Sequence, residues 1–156
     1  MDTVPIFDGH NDTLTECFSP ETGEKRSFFE WGEKGHLDLP RAAAGGLKGG
    51  IWAIFTPPPP DSPDRDMMSG VTFTDQGYEV SPRRALETAY ACAYTRAVIE
   101  YCHTLEARSE GKIGIARSYT ELEGCLAEER LAMILHIEGA EAIRPFLCGV
   151  CQRKSC

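Results

Sequence analysis

The chain has 156 residues, a length typical of one domain. Its 24 Asp and Glu residues outnumber its 16 Lys and Arg residues, giving a formal net charge of −8, and this acidic balance argues against a nucleic-acid partner. Hydrophobic residues make up 42% of the chain and charged residues 26%, so the composition is that of a globular protein and excludes disordered and collagen-like classes.

The chain shows no sign of a membrane segment. No apolar stretch approaches the roughly 18 residues that a membrane span requires. Residues 1–5 contain neither the basic region nor the apolar run of a signal peptide. We therefore expect neither a membrane anchor nor an export signal. The seven cysteines are an odd number, unlike a secreted disulfide framework, so we expect reduced thiols and a cytoplasmic location.

The first predicted element is a buried strand over residues 4–9, an apolar run that ends where polar residues begin. Residues 19–34 are polar and interrupted by proline and glycine, which is typical of a loop. One or two helical turns are predicted over residues 39–44, with Gly45 and Gly46 just beyond, where a left-handed backbone is needed.

A second buried strand is predicted over residues 49–55, which are apolar on both faces, as the strands of a parallel sheet usually are. Four consecutive prolines follow it, and six of the ten prolines lie between positions 57 and 82. Because proline cannot donate to a strand ladder, we expect residues 56–81 to form an irregular, mobile surface loop.

A long helix is predicted next. Ser81 supplies a capping hydroxyl and Pro82 suits a first turn, and apolar residues then recur at helical spacing as far as Leu105. A short strand is predicted over residues 113–116, and Thr120-x-x-Glu123 resembles a capping box at the start of another helix.

The clearest strand prediction covers residues 131–137, a continuous apolar run that ends at Glu138. Strands that alternate with helices in this way predict a parallel sheet built from βα units. Active sites of such folds lie just past the carboxyl ends of the strands.

Three residues at strand ends are candidate metal ligands. In an extended segment His10 and Asp12 point the same way, so together they can reach one cation. The same residues are also common in turns after strands, so for the pair alone a turn without metal is the preferred interpretation. Glu138 can bridge two metals through its two oxygens, or it can interact with the dipole of the segment that follows. We expect His10, Asp12 and Glu138 to converge, because parallel strands bring their carboxyl ends to one side.

Other polar residues have simpler interpretations. His36-x-Asp38 lies before a strand, where surface or supporting packing is the preferred interpretation. His136 shares a strand face with Glu138 and could orient it, but a hydrogen-bonded core histidine is preferred. Three tail cysteines could bind a soft metal or cycle between thiol and disulfide, but no fourth ligand stands at a suitable spacing: Cys148, Cys151 and Cys156.

Three sequence blocks occur in a characteristic order: VPIFDGHND at residues 4–12, HLDLPRAAAGGLKGGIWAIF at 36–55, and ILHIEGAEAI at 134–143. In this order they resemble the renal (membrane) dipeptidase family of zinc peptidases, and the resemblance covers residues 4–143. It implies a (β/α)8 barrel with a binuclear zinc site, a dipeptide substrate and hydrolysis by a metal-bridging water.

By this resemblance, His10 and Asp12 match ligands of the first zinc, and Glu138 matches the carboxylate that both ions share. The family's two further histidine ligands, its substrate-binding His and Arg and its later catalytic Asp match nothing in this chain. We therefore expect residues 1–143 to be the N-terminal part of a dipeptidase barrel, with about three of eight βα units. Residues 144–156 would then be a cysteine-containing tail of unclear origin.

Such a barrel needs about 250 residues, so we expect a truncated and inactive piece of a cytoplasmic zinc dipeptidase, unless a homo-oligomer or a completing chain supplies the rest. Two alternatives stay open. One is another metal-dependent amidohydrolase, such as a deaminase or lactonase, although those usually show His-x-His after the first strand. The other is a non-catalytic fragment that binds another chain through its open sheet edges and its cysteine-rich tail.

Overall fold

The computed structural model describes residues 4–66 and 68–143, so the predicted tail at 144–156 lies outside the described residues. These residues belong to two compact units, one within Met1–Phe55 and Tyr94–Glu138 and the other within Thr56–Ala93 and Gly139–Cys156. Over the described part of the chain, no helix combines the length and apolar character needed to cross a membrane. The elements in chain order are β1 (Ile6–Asn11), α1 (Thr13–Cys17), α2 (Leu39–Gly45), β2 (Leu47–Phe55), a 3₁₀ turn (Pro63–Arg65), β3 (Val71–Thr74), β4 (Gly77–Val80), α3 (Thr88–Arg108), β5 (Ile113–Ile115), α4 (Tyr119–Ala127) and β6 (Leu131–Glu138).

The first unit is built on a four-stranded sheet in the order β1-β2-β6-β5. All three neighbouring pairs are parallel, and helices connect the strands, so the expected α/β class is confirmed. β5 is short and pairs only with Leu131–Met133 at the start of β6. Beyond Met133, that side of β6 has no strand partner among the described residues.

One face of this sheet, the core face, carries Trp52, Ile54 and Met133, and none of these side chains is more than 1% exposed. They pack with apolar residues of the helices, including Leu14 of α1 and Leu105 of α3. Burial of such large side chains is the main source of stability in a fold of this size.

The opposite face, the inner face, carries the alternate residues of β2 and β6. Ala53 pairs with His136 and Phe55 pairs with Glu138, and both His136 and Glu138 are exposed. The two faces therefore differ in kind: helices cover the core face, whereas polar side chains at the carboxyl end of the inner face reach solvent.

The first strand differs from its prediction. β1 extends to Asn11, and Ile6 and Phe7 are 50% and 44% exposed, so the expectation of a buried strand that stops at residue 9 is wrong. β1 is the outermost strand of the sheet, and no described strand pairs with its free edge. The apolar run indicates a strand correctly, but it carries no information about what covers that strand.

The expectation of an irregular loop over residues 56–81 is also wrong. β3 and β4 form an antiparallel hairpin in the second unit, with Val71 opposite Val80 and Phe73 opposite Tyr78. β-branched and aromatic residues favour strands, and a two-residue turn at 75–76 leads into Gly77, whose φ is 138°. The prolines lie outside the hairpin, with Pro63 before it and Pro82 after it, and therefore they do not prevent its pairing.

Two helix starts lie at different residues from those predicted. Ser81 does not cap α3: its backbone N–H donates to Gly70 O and extends the hairpin, and residues 81–87 are not helical. α3 begins at Thr88 instead, and the Glu87 carboxylate accepts from Tyr90 N at 3.1 Å. α4 begins at Tyr119, and its cap is Ser118, two residues before the predicted cap Thr120; the Ser118 hydroxyl accepts from Glu121 N at 3.2 Å.

α2 matches its prediction and shows how a local polar network fixes an element. Asp38 is fully buried, and its carboxylate accepts from Arg41 N at 2.9 Å, Arg41 Nε at 2.7 Å and Gly32 N at 3.1 Å. Burial alone would raise the pKa of Asp38, but these hydrogen bonds hold it below its ordinary value. Gly46 ends the helix with φ of 77°. The packing role expected for Asp38 is confirmed, and its neighbour His36 is exposed.

Candidate metal centre

The end of β1 is shaped by a short turn that leads directly into α1. The Asn11 side chain accepts from Thr13 N at 3.3 Å and donates to Ile51 O of β2 at 3.4 Å. This side chain therefore ties the turn to the neighbouring strand. Asn11 is thus held in place by two hydrogen bonds, and its chain neighbours are His10 at the end of the strand and Asp12 at the start of the helix.

The end of β6 is equally sharp. Glu138 is its last residue and pairs with Phe55, the last residue of β2. Gly139 follows with φ of 91°, a left-handed conformation that glycine adopts without strain. The strand therefore stops directly after Glu138 and leaves its carboxylate at the carboxyl end of the sheet.

These two strand ends bring the three predicted residues together. His10 Nε2 lies 3.6 Å from Asp12 Oδ1 and 3.6 Å from Glu138 Oε2. One ligand atom from each of the three residues lies within 4.8 Å of the others. The predicted convergence is confirmed, and it spans two strand spacings, because β2 lies between β1 and β6.

The donor set fits a divalent transition metal such as zinc. Two ligands that are each about 2 Å from one ion lie at most about 4 Å apart, so both 3.6 Å distances suit a shared ion. One imidazole and two carboxylates are ligands that zinc accepts. The side chains of His10, Asp12 and Glu138 are 45%, 64% and 45% exposed, so the cluster is open to an ion and to a small substrate.

A fourth residue, His136, lies beside this cluster. Its ring meets the His10 ring edge to face, with centroids 6.2 Å apart and planes at 71°. The side chain is exposed, so the expectation of a hydrogen-bonded core histidine is wrong. The i, i+2 spacing to Glu138 was visible in the sequence, but the exposure of the inner face at this point was not.

The cysteines among the described residues do not contribute to the cluster. Cys17, Cys92, Cys102 and Cys125 are free thiols, and all but Cys92 are buried. Burial raises the pKa of Cys17 to about 11 and that of Cys102 to about 12, so these two thiols resist the deprotonation that metal binding requires.

Comparison with known sequences identifies the family. The sequence model of the membrane dipeptidase family, peptidase family M19, matches residues 1–148. A protein of Acinetobacter calcoaceticus, described as an uncharacterized protein in the PQQ-III 3′ region, is 32% identical over 147 residues. That match covers 90% of this chain and 42% of the Acinetobacter protein.

Solved structures support the same family assignment. A metallopeptidase from Rhodobacter sphaeroides, crystallised with a phosphinate mimic of the dipeptide L-Ala-D-Ala, matches with a TM-score of 0.77 and 29% identity over 97% of this chain and 42% of its own. The dipeptidase AC of family M19 matches with a TM-score of 0.75 and 28% identity, over 97% of this chain and 40% of its own. The probable dipeptidase PvdM from Pseudomonas aeruginosa, at 18% identity and a TM-score of 0.60 over 96% of this chain and 32% of its own, supports the fold alone.

The chain thus spans 42% of the length of the Acinetobacter and Rhodobacter relatives, and the expected partial α/β barrel is confirmed by the solved structures. Family M19 proteins are metallopeptidases, which implies a metal cofactor for the intact enzymes. With a family match over residues 1–148 and these structural neighbours, the chain belongs to the membrane dipeptidase family, peptidase family M19.

Proposed function

We propose that this chain carries part of the metal centre of a zinc-dependent dipeptidase, with His10, Asp12 and Glu138 as ligands. The observation that carries the proposal is the position of His10 Nε2, 3.6 Å from an oxygen of each carboxylate at the carboxyl end of a parallel sheet. Parallel α/β folds place their catalytic groups at that end. Membership of a metallopeptidase family supports a metal as the occupant.

Each ligand has a distinct role in this proposal. His10 would supply a nitrogen donor, and Asp12 would supply an oxygen donor. Glu138 has a second carboxylate oxygen, which suits it to bridge two ions. When bound, zinc supplies Lewis acidity that activates water and polarises a carbonyl group.

The proposed substrate is a dipeptide. The support comes from the Rhodobacter relative, which was crystallised with a dipeptide mimic. The exposure of all three ligand side chains is consistent with such a small substrate reaching the metal. The catalytic and substrate-binding residues of the intact enzyme are not assigned in this chain.

We propose that the 156-residue chain alone turns over no dipeptide and binds zinc weakly. Three protein ligands can support one catalytic zinc, but a second ion would share only Glu138 among the described residues. An assay of dipeptide hydrolysis at saturating zinc, with His10→Ala as control for contaminants, tests this. Turnover that His10→Ala abolishes would contradict the proposal of an inactive chain.

A second candidate function, docking to a completing chain, is favoured by one observation. The free edge of β1 and the part of β6 beyond Met133 have no strand partner in residues 4–66 and 68–143. Such edges are templates for pairing with another chain. Light scattering of the purified chain, alone and mixed with the C-terminal part of the Rhodobacter relative, tests this candidate; a monomer in both samples would count against it.

The metal assignment is tested by titrating the chain with zinc in competition with a chromophoric chelator. Serine at the three tail cysteines removes competing thiols: Cys148→Ser, Cys151→Ser and Cys156→Ser. We expect His10→Ala to weaken zinc binding by more than the ~10–100-fold typical of losing a supporting partner of a ligand. Glu138→Gln should act in the same direction.

The matched control is His103→Ala. His103 is also a half-exposed histidine near a carboxylate, with Nδ1 3.7 Å from Glu106 Oε2, but it belongs to α3 and is not part of the cluster. Its replacement should leave zinc binding unchanged. Equal zinc affinity in the starting chain and in both His10→Ala and Glu138→Gln would contradict the assignment and leave the cluster as an exposed ion-pair group.

A further inference from the structure

His136 is placed to contact the candidate ligands without being one of them. It lies on β6 two residues before Glu138, and therefore about 7 Å further from the carboxyl end of the strand. Its pairing partner on β2 is Ala53, whose small side chain leaves room for an imidazole ring on the inner face. The group of atoms that can share an ion comprises His10, Asp12 and Glu138 and does not include His136.

The His10 ring lacks the support that a metal-binding histidine usually has. Such a ligand normally donates its second ring N–H to a carboxylate, a carbonyl group or water, which fixes the ring orientation. Among the described residues, the His10 ring approaches charged groups through Nε2, which lies 3.6 Å from Asp12 Oδ1 and 3.6 Å from Glu138 Oε2. No protein acceptor in residues 4–66 and 68–143 holds Nδ1.

The His136 ring is the aromatic side chain that packs against the His10 ring in the described part of the chain. Its edge-to-face arrangement with His10, at 6.2 Å and 71°, is within the range in which aromatic rings attract each other. A ring in this place restricts rotation of the His10 imidazole and keeps Nε2 directed at the two carboxylates. The i, i+2 spacing on a rigid strand keeps this ring and the Glu138 carboxylate on one face.

We propose that His136 is a positioning residue, which holds the His10 imidazole in the orientation needed for metal binding through ring packing and not as a ligand. This inference rests on the proposed metal site. It predicts that the ring of residue 136 matters for zinc affinity, whereas its nitrogen atoms do not.

Two substitutions distinguish the effect of the His136 ring on zinc affinity from the effect of its nitrogen atoms. His136→Ala removes the packing and should weaken zinc binding by about 2- to 10-fold, the range for loss of one aromatic pair. His136→Phe keeps a ring of similar shape without nitrogen and should restore affinity close to that of the starting chain. Both are measured by the zinc competition titration in the variant with serine at the three tail cysteines.

Ile134→Ala is the control for a general loss of structure. Ile134 is two residues earlier on β6 and on the same face as His136, and its side chain carries no ring. We expect unchanged zinc affinity for this variant. Thermal unfolding of the metal-free proteins verifies that all three variants are folded before titration.

The outcomes separate the two proposals. If His10→Ala lowers zinc affinity and His136→Ala does not, the positioning role is overturned and the metal site stands. If His136→Phe binds zinc as weakly as His136→Ala, the nitrogen is required and the role as ring support is overturned. If His10→Ala itself has no effect, the proposed function fails. Weakening by His136→Ala, recovery in His136→Phe and no change in Ile134→Ala is the result expected.

Discussion

The two faces of the parallel sheet have opposite characters. On the core face, Trp52, Ile54 and Met133 are at most 1% exposed and pack against helices. On the inner face, His136 and Glu138 are exposed and meet His10 from the end of β1, two strand spacings away. The core face therefore stabilises the fold, whereas the inner face carries the candidate metal ligands. Substitutions on the core face should change the free energy of unfolding, and substitutions among the candidate ligands should change zinc affinity.

The largest expected effect on stability is on the core face. Trp52 is fully buried, and its ring packs edge to face with Phe28 at 5.6 Å. Trp52→Ala should lower the free energy of unfolding by about 3–5 kcal/mol, because it removes a large buried side chain and leaves a cavity. Urea unfolding measures this loss. A decrease below about 1 kcal/mol would show that this face is not the main source of stability.

A smaller and pH-dependent effect is expected at Asp38. Asp38→Asn should cost about 1.5–3 kcal/mol at neutral pH, since hydrogen bonds to a charged group are lost. The pKa of Asp38 is lower in the folded chain than its ordinary value of 3.8, so the unfolded state takes up a proton first as the pH falls. The contribution is therefore present above about pH 4 and disappears as the pH falls through the folded pKa.

Urea unfolding of Asp38→Asn and the starting chain between pH 3 and 7 measures this dependence. The difference between the two proteins should shrink toward the acid end. A difference that stays constant across this range would mean that the carboxylate charge of Asp38 does not stabilise α2.

The smallest effect is expected in the hairpin of the second unit. The Phe73 side chain is 73% exposed, so Phe73→Thr should change the free energy of unfolding by less than about 0.5 kcal/mol, as surface substitutions usually do. Threonine also preserves strand preference. A loss comparable with that of Trp52→Ala would reveal that the apolar face of the hairpin is covered in solution.

The sequence predicts elements better than it predicts their surroundings. The apolar runs that give β2 and β6 are local, and so is the left-handed turn at Gly46. Ser81 and Pro82 together predict a helix start, but the strand before them ends at Val80 and the Ser81 N–H donates to Gly70 O, so the chain at Ser81 still belongs to the hairpin. Local propensity does not show such pairing with another segment of the chain.

The candidate site shows the same limit. That His10 and Glu138 lie at strand ends follows from periodicity, and their convergence follows from the parallel arrangement. The edge-to-face contact of His136 with His10 depends on the register of β6 against β2 and on the exposure of the inner face. The spacing of residues shows neither the register nor the exposure, so the sequence alone predicts a core position for His136, whereas the structure leaves its side chain exposed.

Zinc K-edge X-ray absorption measures directly whether zinc binds to His10, Asp12 and Glu138. The sample is the chain with serine at residues 148, 151 and 156, loaded with one equivalent of zinc. We predict a first shell of nitrogen and oxygen at about 2.0–2.2 Å with imidazole scattering, which His10→Ala removes. A sulfur shell at about 2.3 Å, or a spectrum that His10→Ala leaves unchanged, would contradict zinc binding at these three residues.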